Sequence, residues 1–356
     1  MTMKKNLLAS VIILLASGAY AQDIHFSQFY EFPSQLNPAL VGVTKNIRAS
    51  LQYKNQWGSV TVPYKTYGAT FEMKFNQKTW EQGANNQFFK KAGKNLAWGI
   101  SVFSDKAGDG DMGLTQASFS LSSPVALNEQ NTLAIGIQGS FAQRSVDYSK
   151  LIWPNQYSGS QYDRNLNSGE NFSASKFTYG DFAAGLLWTY GKGEMYMTAN
   201  DEVKANAGVS VYHISRPKES YLSNTSEVLN MRFVVHGGMA FGIRNTTLDI
   251  APSFMLNYQG PSKEILFGTL FKYNLQEDSK YTGNIKSTIV SVGGYYRNND
   301  AIIPTLLLEM GQYALGISYD VNISDLNTAS SSRGGIEVAF RFVTPNPFLY
   351  TNKPRY

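Results

Sequence analysis

The chain holds few residues with which to do chemistry. Its 356 residues include three histidines and no cysteine, which removes thiol nucleophiles, thiolate metal sites and disulfides together. His25, His213 and His236 are the imidazoles on offer, and none stands beside a Ser or Asp in a recognisable nucleophile context. Two carboxylate pairs, Asp249 with Glu264 and Asp320 with Glu337, are the candidates for general acid and base work. Their neighbours in the polar pattern, Arg232, Lys272 and Arg341, favour ion pairing instead. The acidic, Gly-rich run Asp105 to Asp111 invites a calcium reading but lacks the Glu that closes an EF-hand loop, so it reads as a tight turn. Gly108 to Gly113 has no strand-to-helix context and is no phosphate cradle. No catalytic, cofactor-binding or metal residue is assigned, no cofactor is expected, and the chain is read as a non-enzyme.

The elements that frame these residues begin with an export signal. Lys4 and Lys5 precede an apolar run from Leu7 to Ala16, and Ala19-Tyr20-Ala21 supplies an A-x-A cleavage site, so residues 1–21 read as a signal peptide. The apolar run is about half the ~20 residues a membrane-spanning helix needs. Losing both lysines takes the formal net charge from +5 to +3. With the basic residues scattered singly, no nucleic-acid partner is expected. The next stretch, Gln22 to Gly42, carries Phe26, Phe29, Tyr30 and Phe32 and then Pro33 and Pro38. It cannot be a regular strand, and so aromatic a stretch needs cover from water.

From there on the dominant signal is alternation with period two, which sends one residue set to each face of a strand. Tyr313, Leu315, Ile317, Tyr319 and Val321 oppose Ala314, Gly316, Ser318, Asp320 and Asn322, and Ile336, Val338, Phe340 and Phe342 oppose Glu337, Ala339 and Arg341. A sandwich with apolar residues inward, or a membrane barrel with apolar residues facing lipid, would both alternate. The barrel is favoured by aromatic ends to the apolar faces, as at Tyr53 with Trp57 and Trp188 with Tyr190. The frequency of small polar and charged residues on the other face points the same way. So do short turns near 128–131, 244–245 and 310–312, set against longer connections at 146–175, 215–227 and 324–333. The long connection 76–93 falls on the short-turn side and breaks the pattern.

The fold class is therefore all-β: an outer-membrane antiparallel barrel of about fourteen strands with an irregular, plug-like N-terminal segment. Residues 22–45 form that segment, 46–343 the barrel, and 344–356 a periplasmic tail. A barrel of this width leaves a lumen, and the segment is expected to fold into its mouth or interior, the alternative being a mobile periplasmic lead segment. The same alternation expects an Arg at lipid-facing Leu315 to cost ~2 to 4 kcal/mol, and one at lumen-facing Ser318 to cost less.

Two short motifs are not dictated by any need of barrels. His25-Phe26-Ser27-Gln28-Phe29, followed by Asn37-Pro38, resembles the opening of the PorP/SprF family of type IX secretion outer-membrane proteins of Bacteroidota. Tyr53-Lys54-Asn55-Gln56-Trp57 resembles that family's first-strand motif, with Lys54 where Arg is usual. Trp98-Gly99, the 105–110 turn and Gly334 to Glu337 also fit, while the polar excursion 155–175 is longer than usual. The resemblance implies a non-enzymatic component that supports secretion and surface anchoring of cargo, often large gliding adhesins, through C-terminal sorting domains. It also implies periplasmic, peptidoglycan-linked partners beside outer-membrane lipid. A fatty-acid-transporter-like channel for small hydrophobic molecules is the alternative.

Overall fold

The computed structural model describes residues 23, 25–43, 47–58, 62–75, 96–170, 175–192, 200, 202–221, 227–276, 287–324 and 330–344. The signal peptide, connection 76–93 and all of the tail except Thr344 lie outside these residues. Fourteen antiparallel strands close into one barrel, β1 pairing with both β2 and β14. They are β1 (Ile47–Gln56), β2 (Tyr64–Lys74), β3 (Ala97–Ala107), β4 (Met112–Ala126), β5 (Asn131–Ser145), β6 (Lys176–Lys192) and β7 (Val203–Tyr212). The second half comprises β8 (Arg232–Gly242), β9 (Leu248–Gln259), β10 (Ser262–Gln276), β11 (Thr288–Arg297), β12 (Ala301–Met310), β13 (Tyr313–Asn322) and β14 (Arg333–Thr344). Closure removes the exposed sheet edge that would otherwise template aggregation.

The polarity of the barrel is the reverse of a soluble protein's. Each strand displays a large apolar side chain on the outside, among them Leu51, Ile137, Phe182, Phe267, Leu306 and Ile317. The buried inner face carries Arg48, Gln52, Lys54, Glu72, Asp181, Arg297, Asp320 and Glu337. Only lipid makes that arrangement favourable, because water would meet a continuous apolar band. Aromatic pairs ring both ends: Tyr53 with Tyr67 and Trp57 with Tyr64 at one, Phe71 with Trp98 and Trp188 with Tyr190 at the other. Trp188 keeps its indole N–H satisfied by donating to Asn131 Oδ1 at 3.0 Å, as an amphipathic ring at a membrane interface should.

Connection length sorts the two ends less cleanly than the sequence suggests. The turns at Asn128, Asn245 and Gly311 do share the end where β1 starts and β14 finishes, which we call the terminal end. The long 146–175 and 213–231 connections lie at the opposite, loop end, but so do the tight turns at 260–261 and 298–300. A turn's length reflects local hairpin geometry, and Gly260 with φ 56° permits a short one at either end.

The lumen is not hollow. Phe26, Ser27, Gln28, Phe29, Glu31, Phe32, Leu36, Asn37, Ala39 and Val41 are buried among the inward side chains. The segment contains one helical turn, Pro33–Leu36, and two 3-10 turns, Phe29–Glu31 and Pro38–Leu40, each proline sitting at a first helical position where its missing N–H costs nothing. Glycines on the inner wall mark its path. A Cβ on Gly136 of β5 would lie 2.2 Å from Ala39 N and 2.3 Å from Pro38 C, and one on Gly185 of β6 would lie 2.0 Å from Asn37 Oδ1. Gly136 and Gly185 are cross-strand partners, so together they form a notch that receives Asn37-Pro38-Ala39. Gly68 does the same for Phe26 and Phe32, and Gly316 for Gln28.

The filled lumen bears on the expectation that an arginine at Ser318 would cost less than one at Leu315. Its side chain is 1% exposed and meets Gln28, so a large group there has nowhere to go. The same substitution on neighbouring residues should therefore separate the faces. Ile317→Phe, facing lipid, should leave the denaturant midpoint of folded barrel nearly unchanged, whereas Ser318→Phe should lower stability by ~1 to 3 kcal/mol through overpacking; equal effects would contradict the assigned faces. On β5, Gly136→Ala should cost about as much as that, while Gly139→Ala, whose nearest neighbour is the outward Phe182 ring at 3.7 Å, should be close to neutral.

Candidate functional site: the N-terminal segment and its wall

A segment without regular structure must find partners for its backbone groups wherever it is buried. Here the barrel's side chains supply them. Lys54 donates to His25 O at 3.2 Å, Gln52 to Gln28 O at 3.3 Å and Arg48 to Tyr30 O at 3.0 Å, all from β1. Tyr212 donates to Ser34 O at 2.9 Å, Arg232 to Gln35 O at 2.8 Å, Ser210 to Leu36 O at 2.7 Å and Ser122 to Ala39 O at 3.2 Å. In the other direction Ser27 N and Gln28 N donate to the two oxygens of Glu337 at 2.7 and 2.9 Å, and Gly42 N donates to Glu72 at 3.2 Å.

The opening motif sits where these contacts are densest. Ser27 Oγ donates to Asp320 Oδ1 at 2.8 Å and accepts from Arg297 at 2.7 Å and from Lys54 at 3.3 Å. Gln28 Nε2 donates to Ser318 Oγ at 3.2 Å. His25 Nε2 lies 3.4 Å from Glu264 Oε1, whose carboxylate also meets Arg297. Phe26 packs on Phe32 with centroids 5.3 Å apart, joined by Phe103, Leu114 and Tyr179. Phe29 turns to the other side, edge-on to Tyr295 and against Leu266 and Ile303. Asn37, with no exposed surface, donates to Leu186 O at 2.9 Å, accepts from Ala39 N at 2.9 Å, and meets His236 Nε2 at 3.1 Å. Pro38 follows it into the notch at Gly136.

The first-strand motif divides between the faces. Tyr53 stacks outside on Tyr67, and Trp57, at φ 58°, caps the strand by donating its N–H to Gly334 O at 2.6 Å and packing edge-on to Tyr64. Asn55 and Gln56 sit at the loop end, paired in register with Ile336 and Gly335. The residue that joins the two motifs is Lys54, the position at which the sequence departs from the family pattern. It is buried and lies 3.7 Å from Asp320 as well as touching Ser27 and His25.

The carboxylates expected to pair with Arg232, Lys272 or Arg341 find other partners. Asp320 pairs with Arg297 at 3.0 Å and Glu337 takes the segment's amides. Asp249 is opposite Lys272 in register, yet its carboxylate accepts from Asn274. Arg232 meets Asp23 at 3.5 Å, and Arg341 meets Glu31 at 2.6 Å together with Glu309. Sequence reasoning missed Arg48, Lys54 and Arg297 as segment-holding residues, and Glu31 as the segment's own acid that Arg48 and Arg341 hold. The signal for the three strand residues was their inward parity on polar faces; it had no sight of what filled the lumen.

The three histidines serve as structural contacts. His213, just beyond β7, places Nδ1 2.9 Å from Asp181 and Nε2 2.5 Å from Asp23, so both ring nitrogens face carboxylates and both must donate. Burial works against the imidazolium, but the two acids outweigh it and lift its pKa to about 9. That contact is fully present below the ordinary imidazole value and is lost as pH rises through about 9. In the 105–111 run, Asp105 accepts from Thr66 Oγ1 at 2.6 Å, and Asp111 pairs with Lys150.

Comparison with known proteins follows this geometry. Solved structures that resemble the chain include outer-membrane barrels at 7–11% identity. The CymD monoaromatic hydrocarbon channel has a TM-score of 0.40 and 10% identity over 89% of this chain and 94% of its own. A FadL homologue from Pseudomonas aeruginosa has a TM-score of 0.39 and 9% identity over 86% and 92%. CdiB from Acinetobacter baumannii has a TM-score of 0.40 and 7% identity over 84% of this chain, which spans 60% of CdiB's length. Among curated proteins none matches in sequence. The family model for the type IX secretion system membrane protein PorP/SprF matches residues 18–342. With nearly its whole length matched, the chain belongs to the PorP/SprF family of type IX secretion system membrane proteins.

Proposed function

We propose that the protein is a non-enzymatic outer-membrane component that supports secretion and surface anchoring of cargo, such as a large adhesin, through the cargo's C-terminal sorting domain. The observation that carries this reading is the occupied lumen, taken with the family. With residues 25–43 buried inside, the barrel acts as a sealed platform, and its partners meet it at the rims. The loop end is extracellular and offers the 146–175 and 213–231 connections to cargo. The terminal end is periplasmic and meets the rest of the secretion apparatus and its peptidoglycan-linked components. Export of the mature chain from Gln22 follows from the signal peptide.

The loop excursion suits a docking role. Gln156 organises it, donating to Arg164 O and Leu166 O at 3.4 and 3.2 Å while accepting from Trp153 N at 3.1 Å. This self-bonded frame holds Ile152, Tyr157 and Tyr162 half exposed among Ser, Gly and Asn residues. Rigid tyrosines amid small polar residues give large contact area at low entropic cost, as in antibody loops.

The channel reading fares worse on volume. The aromatic cavity between Phe26, Phe29, Phe32, Leu36, Val234 and Met255 holds about 30 Å³, and the polar one near Gln138 and His213 about 20 Å³. Each has room for little more than a water molecule, where ligand sites take hundreds of Å³; the larger recesses among the described residues, about 460 Å³ beside Leu51, Tyr67, Val102 and Phe340 and about 420 Å³ beside Asp109, Lys150 and Ile152, open on the outward face and at the loop end. Deleting the protein should release a surface adhesin into the medium or abolish its display, read by immunoblot of cells and supernatant; unchanged retention would sink the anchoring role. In planar bilayers the intact barrel should be silent and removal of residues 22–42 should open conductance, whereas steady current through the intact protein would favour the channel.

A further inference from the structure

The segment does more than occupy space, because it reaches both strands at the point where the barrel closes. Glu31, with 1% of its surface exposed, accepts from Arg48 of β1 at 3.0 Å and from Arg341 of β14 at 2.6 Å. One turn nearer the loop end, Gln28 accepts from Gln52 of β1 through its carbonyl and donates its N–H to Glu337 of β14. Above that, Ser27 accepts from Lys54 of β1 and donates its N–H to the same Glu337. Three residues of the segment, Ser27, Gln28 and Glu31, thus tie β1 to β14 from inside, in addition to the backbone ladder that pairs Ile47 with Thr344 through Gln56 with Gly335.

The mode of contact is that of a receptor holding a peptide. Seven of the segment's carbonyls are recognised by barrel side chains. Main-chain contacts supply affinity, and a few shaped sockets, at Gly68, Gly136, Gly185 and Gly316, select the side chains. Glu31 is a buried acid whose charge is matched by Arg48 on one side and Arg341 on the other, and Glu337 is a buried acid that accepts two of the segment's amides; removing one partner of such a set leaves the others uncompensated. We propose that the lumen is a peptide-binding site whose resident ligand is the chain's own residues 25–43, and that occupancy of this site secures the β1–β14 closure. The covalent link to β1 raises the ligand's effective concentration; the wall's own contacts hold it.

The test uses the full chain with a protease site placed in the 44–46 stretch, cut only after the barrel has folded. The cleaved segment should stay bound through purification, and the folded, heat-modifiable band should persist. Glu31→Gln and Glu337→Gln should each speed release of the cut segment by about ten- to hundredfold, the worth of a charge-assisted hydrogen bond. Variants are scored on the heat-modifiable fraction alone, so that a misfolded population does not enter the rate.

Closure is read separately, which the absence of native cysteine makes clean. A cysteine pair at the seam partners Leu51 and Phe340, both outward, should cross-link less readily once the segment has been released. A pair at Ala117 and Phe141, partners in β4 and β5, should be unaffected. A synthetic 22–43 peptide should rebind the emptied barrel and restore the seam yield. Loss of the segment immediately on cleavage, or retention by Glu31→Gln and Glu337→Gln at the wild-type rate, would overturn the binding site. Seam cross-linking that is insensitive to release, or that changes equally at β4 and β5, would overturn its link to closure.

Discussion

Everything inside this barrel answers to one constraint: fourteen strands enclose more space than their own inward side chains can fill. In a smaller barrel the lumen is a side-chain core. Here the chain brings in an additional piece of itself, and that piece, having no sheet or long helix of its own, arrives with open backbone donors and acceptors. The inner wall is polar for that reason. Arg48, Gln52, Lys54, Ser122, Ser210, Tyr212, Arg232 and Glu337 each meet a main-chain group of the segment.

The wall is also divided, and the segment matches the division. Across β8 to β12 the inner face carries an apolar patch, with Val234, Met255, Leu266, Leu270, Tyr295 and Ile303, set beside the charged Arg232, Glu264 and Arg297, and on that patch Phe29 and Leu36 pack. Across β13, β14 and β1 it is ionic, and here Ser27, Gln28 and Glu31 lie. A segment turned end for end or rotated would set Glu31 against leucines and Phe29 against arginines, each of them costly without partners. The glycine sockets then fix the remaining freedom, since Gly136 and Gly185 admit backbone only where Asn37-Pro38-Ala39 lies. Apolar sector, ionic sector and notch together specify one pose.

How much of this was legible in the sequence depends on range. Alternation is a local signal, so the count of about fourteen strands could be read from it, and the alternating runs Tyr313 to Val321 and Ile336 to Phe342 fall inside β13 and β14. The segment's irregularity was equally local, visible in Pro33 and Pro38. Ion pairing was not, because it needs the register of strands far apart in the chain and the position of a segment that no periodicity describes. Hence Arg341 pairs with Glu31 of the segment as well as with Glu309 of the barrel, and Asp320, expected to meet Arg232, Lys272 or Arg341, faces Arg297 and Ser27. The inward glycines looked like ordinary strand glycines, since their use appears only when Asn37 and Gln28 are placed against them.

The same arrangement bears on where a secretion component can act. Groups that would normally be available to a passing solute, the buried arginines, acids and amides of the inner wall, are already spent on the segment. What remains free of such duties lies at the rims, above all the excursion held by Gln156, which keeps its tyrosines outward by satisfying its own backbone within itself. A protein partner meeting that surface would bury aromatic area without first ordering a loop, which lowers the entropic cost of association. The lumen gives the barrel its rigidity and the rim gives it something to offer, and these two tasks fall on different residues. On the proposed function, a substitution at the rim should therefore change what the barrel holds, while one at Glu31 or Glu337 should change how firmly the segment is kept in the lumen.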